Sequence, residues 1–170
     1  MNWTDRLGGV LLQYAHPQPN ELFPNIEDDF TTLTDRAPKK AIENGLIAAF
    51  RDENTRAFAD MVVDLFTHSD APQRAGLLMV LVPYISRESK TVLADGGLFD
   101  FPVGSLQIRP DRMMEISPEA VFLIASEAER RHRSGTIEAV SAFYAYHLAA
   151  VKHLGGHTLI LIMTSIAKSL

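Results

Sequence analysis

Apolar residues recur along this chain at spacings of three and four, in short runs cut off by Pro or Gly. Only an α-helix places i, i+3, i+4 and i+7 side chains on one face, so the pattern dictates a stack of short amphipathic helices. Phe58, Met61, Val62, Leu65 and Phe66 match the i, i+3, i+4, i+7, i+8 template in full. Strict apolar/polar alternation, the mark of a half-buried strand, is almost missing. The expected fold is all-α: a compact bundle of about seven to nine short helices in a single domain, 1–170. A subdivision into N-terminal helices, 1–95, and C-terminal helices, 111–170, is the alternative.

The punctuation places the helices. Trp3, Leu7, Val10, Leu11 and Tyr14 carry a first stripe over 3–14, weakened by Gly8-Gly9, each costing about 1 kcal/mol relative to Ala. His16 to Asn20 reads as a loop. Asn25 is the expected N-cap of a second helix, with Glu27, Asp28 and Asp29 favoured by the dipole in its first turn and Ile26, Phe30, Leu33 and Ala37 as its stripe. Pro38 ends it and opens a third, carrying Ile42, Leu46, Ala49 and Phe50. Asn54 is the expected cap of the fourth helix. Ser69 or Asp70, with Pro72 just inside, starts a fifth, with Leu77, Leu78, Leu81 and Val82 as its face and Pro83 ending or kinking it.

A short helix through Lys90 to Ala94 is stopped by Gly96-Gly97. Residues 96–110 form an irregular connector with Leu98, Phe99, Phe101 and Leu106 as apolar anchors and room for a short extended segment. Ser117-Pro118-Glu119 is a strong helix start. That helix should run to Arg133 and stop at Gly135 in a left-handed cap. Thr136 to Leu154 should follow as a helical stretch, then Gly155-Gly156 as a break, then a terminal helix from about His157. In that last helix Leu159, Ile162, Met163, Ile166 and Leu170 share a stripe. Burying such side chains is worth about 1.5–3 kcal/mol each, so the segment should be integral to the core. Leu161 points away from the stripe, with Ile160 between the two faces. This pair is the expected contact with another chain.

The composition is that of an ordinary globular protein, 46% hydrophobic and 22% charged. With no Cys among 170 residues there are no disulfides, thiolate metal sites or Cys nucleophiles. Residues 1–70 carry a net charge of −6 and residues 71–170 a net of +1. The acidic half argues against a nucleic-acid partner, which would need a basic face. The cluster Arg130-Arg131-His132-Arg133 suits a helix C-terminus, where the dipole favours cations. The N-terminus lacks a basic, apolar export signal and no stretch has the ~18–20 apolar residues of a membrane span, so a cytoplasmic, soluble protein is expected.

Catalytic motifs are missing: no Gly-x-Ser-x-Gly, no His-Glu-x-x-His and no P-loop occurs. Ser86-Arg87-Glu88-Ser89-Lys90 reads as a polar helix cap, with no adjacent base to make a serine nucleophilic. Asp60 and Asp64 lie opposite an apolar stripe and read as a solvated face. His153 and His157 would share a face of a continuous helix, but Gly155-Gly156 lies between them, and a third ligand is not at hand. The expectation is no metal and no cofactor, with His147 and His153 as helix C-terminal groups. Phe143, Tyr144 and Tyr146 fit one buried face plus a wet tyrosine edge. Met113-Met114 fits core filling.

Ser117-Pro118-Glu119-Ala120-Val121, Phe143-Tyr144-Ala145-Tyr146-His147, Val151-Lys152-His153-Leu154-Gly155-Gly156 and Ile166-Ala167-Lys168 occur in an order that resembles small uncharacterised bacterial proteins with YidB-like domains of unknown function. Ala75-Gly76-Leu77-Leu78 is similar too. The likeness spans about 40–170. The connector here is less Gly-rich, and Leu148 stands where the group often has Pro. The resemblance implies a compact all-α fold and supplies no activity.

Two function classes remain open from the sequence. One is a non-enzymatic helical interaction or scaffold protein, self-associating, with protein partners. The other is a small-molecule or lipid-binding bundle, or an uncharted enzyme, with a pocket under the 96–110 connector built from Phe99, Phe101, Tyr144, Tyr146 and His147.

Overall fold

The computed structural model describes residues 8–17, 22–95, 99–100, 107–108 and 110–169. The fold is all-α. Among the described residues there are ten α-helices, three short 3-10 segments and one pair of two-residue strands. The chain divides into two units, residues 1–55 with 144–170 and residues 56–143. The 96–110 connector falls within the second unit, so a subdivision of the chain at that connector does not coincide with this partition.

The first unit holds α1 (Gly8–Ala15), α2 (Ile26–Arg36), α3 (Lys39–Arg51), α9 (Leu148–Val151) and α10 (Gly156–Lys168). Residues 3–7 of the first expected stripe, and Leu170 of the last, lie outside the described residues. Tyr14 on α1 is fully buried, stacks on Phe23 at 4.7 Å between ring centroids, and donates from its hydroxyl to Asp29 Oδ2 at 2.7 Å. Phe30, Leu33 and Ala37 of α2 and Ile42, Leu46, Ala49 and Phe50 of α3 are buried as their spacing predicts. So are Leu159, Ile162, Met163 and Ile166 of α10, which packs on α1, α2 and α3. The apolar segment 159–163, whose two isoleucines would also suit a strand, is helical within α10.

The second unit holds α4 (Phe58–Thr67), α5 (Ala71–Leu81), α6 (Arg87–Asp95) and α7 (Pro118–Arg131), together with α8 (Arg133–Tyr144), whose last residue belongs to the first unit. All five residues of the α4 template are buried, and α4 packs chiefly on α7. Asp70 caps α5 in a capping box: its side chain accepts from Gln73 N at 2.8 Å and its own N–H donates to Gln73 Oε1. Ser69 instead donates to the Leu65 carbonyl. After Leu81 the chain tightens into a 3-10 turn through Pro83, as the proline demands. In the connector, Phe99–Asp100 pairs antiparallel with Gln107–Ile108; the rest of 96–109 lies outside the described residues.

Asn25 occupies the N-cap of α2 as expected, although its side chain makes no capping bond. Three helix boundaries differ from the sequence expectation. Asn54 does not cap α4. Its N–H donates to Asp52 Oδ1 at 2.8 Å, and the Thr55 hydroxyl donates to the Ala49 and Asp52 carbonyls, so these residues close α3 and α4 begins only after Ala57. The helix from Ser117 ends at Arg131, not at Gly135. His132 leaves the helical region, and the Ala128 carbonyl accepts from both His132 N and the Thr136 hydroxyl, so α8 restarts at Arg133. Gly135 lies inside α8; a Cβ there would come within 2.9 Å of the Tyr84 ring. Thr136 to Leu154 is likewise not continuous. The α-helix breaks after Tyr144, resumes at Leu148, and tightens to a 3-10 turn before Gly155 at φ 99°.

Helix α10 lies close against α3 at Gly45, where a Cβ would lie 3.0 Å from the Ile162 carbonyl oxygen and 3.1 Å from its Cγ2. Gly45→Val is therefore expected to lower unfolding stability by about 1–3 kcal/mol in urea titrations, because a helix-bound carbonyl has no room to retreat. Equal or greater stability in the variant would show that the two backbones separate freely.

Candidate functional site

The second unit carries a polar clamp beside an apolar cleft, both built by α6 and α7. Ser86 precedes α6, and its Oγ accepts from Ser89 N at 3.1 Å, capping the helix. Glu127 comes from α7, where it is half-buried. Its Oε1 accepts from Ser86 N at 3.1 Å and its Oε2 accepts from the Ser89 hydroxyl at 2.6 Å. The Ser86 hydroxyl donates to Ser89 Oγ at 3.0 Å, closing the network. Burial pushes the Glu127 carboxyl up, but the hydrogen bonds from Ser89 and Ser86 and the charge of Arg131 outweigh it, and the group sits below its ordinary value of 4.5.

The sequence reading of Ser86 to Lys90 as a cap without a neighbouring base needs correction, because folding brings the Glu127 carboxylate onto Ser89. Nothing local signals it, since the partners stand 38 residues apart. The geometry nevertheless describes a clamp. A carboxylate whose basicity is lowered and whose oxygens are engaged is a poor general base.

Beside this clamp lies a cleft of about 340 Å³ lined by Val92 and Leu93 of α6 and Ala120, Leu123 and Ile124 of α7, with Glu88, Ser89 and Glu127 at its polar edge. A second cleft of about 380 Å³ is formed by Asp60 and Val63 of α4 with Glu119, Phe122 and Leu123. A third, of about 410 Å³, is lined by Ser89, Leu123, Ser126, Glu127 and Arg130. Leu123 is the ridge common to all three and is 68% exposed; Val92 is 70% and Phe122 39% exposed. Three large apolar side chains thus stand in water around one ridge.

The residues expected to line a pocket are divided between the two units and fall only in part among the described residues. Tyr144 is fully buried, Tyr146 is exposed beneath Lys39 Nζ at 5.4 Å from its ring, and His147 is half-buried at the N-terminus of α9. The backbone of Phe99 is in the strand pair, while its side chain and the whole of Phe101 lie outside the described residues. Ile160 and Leu161 are both half-buried on α10 and present less surface than Leu123. Met113 is buried and Met114 exposed. Asp64 pairs with Arg56 on the α4 surface, and Asp60 is exposed. Gly155 separates exposed His153 from exposed His157, and among the described residues no three metal-capable side chains converge. Among the same residues no helix is long and apolar enough to cross a membrane.

No family model, curated protein or solved structure matches the chain.

The clamp makes stability pH-dependent with a definite sign. A depressed folded-state pKa contributes stability that is present above pH 4.5 and lost as pH falls through the folded value. Glu127→Gln should cost about 1–3 kcal/mol at neutral pH, the scale of hydrogen bonds to a charged group. The difference in melting temperature from the parent protein should shrink steadily below pH 4.5. A difference independent of pH would show that the carboxylate charge is not what holds α6.

Proposed function

We propose that the chain is a non-enzymatic, self-associating helical interaction protein whose contact surface is the α6–α7 face around Leu123. The observation that carries this reading is the exposure of Leu123, Val92 and Phe122 together on held helices. Leaving them in water forgoes burial worth about 1.5–3 kcal/mol for each large apolar side chain, which a partner surface would recover. The polar groups beside them are engaged in a structural clamp, and the YidB-like resemblance brings no catalytic residue to weigh against this reading.

A small apolar ligand is the second reading, supported by the 340 Å³ cleft between Val92, Leu93 and Ile124. Its openness to solvent at Val92 and Leu123 favours a broad protein surface as the occupant. A stoichiometric small molecule carried by the purified protein in native mass spectrometry would reverse the order of the two.

Leu123→Lys is expected to lower the molar mass of the protein in multi-angle light scattering while leaving helicity unchanged and stability within about 0.5 kcal/mol, as for an exposed site. A parent protein that is monomeric at all concentrations, or a variant that associates as strongly as the parent, would overturn the interaction reading.

A further inference from the structure

The exposed face of α7 has a built-in polarity. At about 100° per residue, Glu119, Leu123, Ser126 and Arg130 fall within about 60° of one another, so they form one stripe along the helix. Its ends carry opposite charges about 16 Å apart along the axis, with an apolar ridge and a small residue between. Glu119, Leu123 and Arg130 are exposed, Ser126 is half-buried, and among the described residues neither Glu119 nor Arg130 has an ion-pair partner. The neighbouring charges are accounted for differently: Glu127 faces Ser86 and Ser89, and Glu129 pairs with Arg133 at 3.6 Å.

Resting on the interaction reading above, we infer that the occupant of this face is α7 of a second copy of the chain, packed antiparallel about a two-fold axis midway between Leu123 and Ser126. In that register Leu123 of one copy lies over Ser126 of the other, where the small side chain leaves room for it. Glu119 lies over the second copy's Arg130 at both ends. Phe122 and Val92 flank the ridge and extend the apolar contact. A two-fold interface must be self-complementary, and this stripe is: reversing it end for end exchanges its acid for its base and its ridge for its hollow. A parallel arrangement in register would instead set Glu119 against Glu119 and Arg130 against Arg130. The antiparallel pair also opposes the two helix dipoles.

The test is charge exchange, read by sedimentation velocity over a concentration series. Arg130→Glu and Glu119→Arg each turn two attractions into two repulsions, and each should weaken dimerisation about tenfold or more. The double variant Glu119→Arg/Arg130→Glu restores opposite charges across the axis and should recover association to within about threefold of the parent. A second measurement uses the lack of cysteine in the chain. Mixed Leu123→Cys and Ser126→Cys proteins should oxidise to the heterodimer in preference to either homodimer. Single charge variants that associate like the parent, a double variant that stays weak, or homodimeric cross-links in preference to the heterodimer would overturn the antiparallel register. Loss of association in Leu123→Lys alone would meanwhile leave the interaction reading standing, whereas a monomeric parent would end both.

Discussion

The Glu127 carboxylate accepting from Ser86 and Ser89 is the contact that joins α6 to α7 beside the proposed contact face. It ties the start of α6 to the middle of α7 at one end, while Val92 and Leu93 farther along α6 line the cleft against Ala120, Leu123 and Ile124. A charged acceptor suits this role, because hydrogen bonds to an ionised group are about twice as strong as neutral ones.

The division of labour within α7 follows from its faces. Val121, Ile124, Ala125 and Ala128 are buried, and the helix packs on α4. Glu127 turns toward α6. What remains outward is the stripe from Glu119 to Arg130, where charge placement also suits the helix itself: the acid sits in the first turn and the base in the last. Residues that stabilise the isolated helix therefore supply the polarity proposed for its pairing, so one sequence choice serves two levels of structure.

The stripes and the stops were legible without coordinates wherever one residue type acts locally. The burial of Phe58, Met61, Val62, Leu65 and Phe66 and the Ser117 cap follow from periodicity and side-chain length alone, whereas the choice of Asp70 over Ser69 as the α5 cap came with the structure. Asn54 misled because Asn serves turns as well as caps, and the acceptor that decided between them was Asp52. Gly135 misled for a different reason. Glycine marks either a left-handed backbone or a close approach, and here the approaching Tyr84 ring explains it.

By itself the sequence determined the helical class, the faces that are buried and most of the breaks, because a 3.6-residue period and a capping hydroxyl act within one or two turns. Tertiary structure alone decided where α7 ends, since the Thr136 hydroxyl reaches back to the Ala128 carbonyl. It alone joined Ser89 to Glu127 and left Leu123 on a ridge among three clefts. Those features depend on which helix lies beside which. A pattern that repeats in nearly every helix of the chain carries no address for its neighbour.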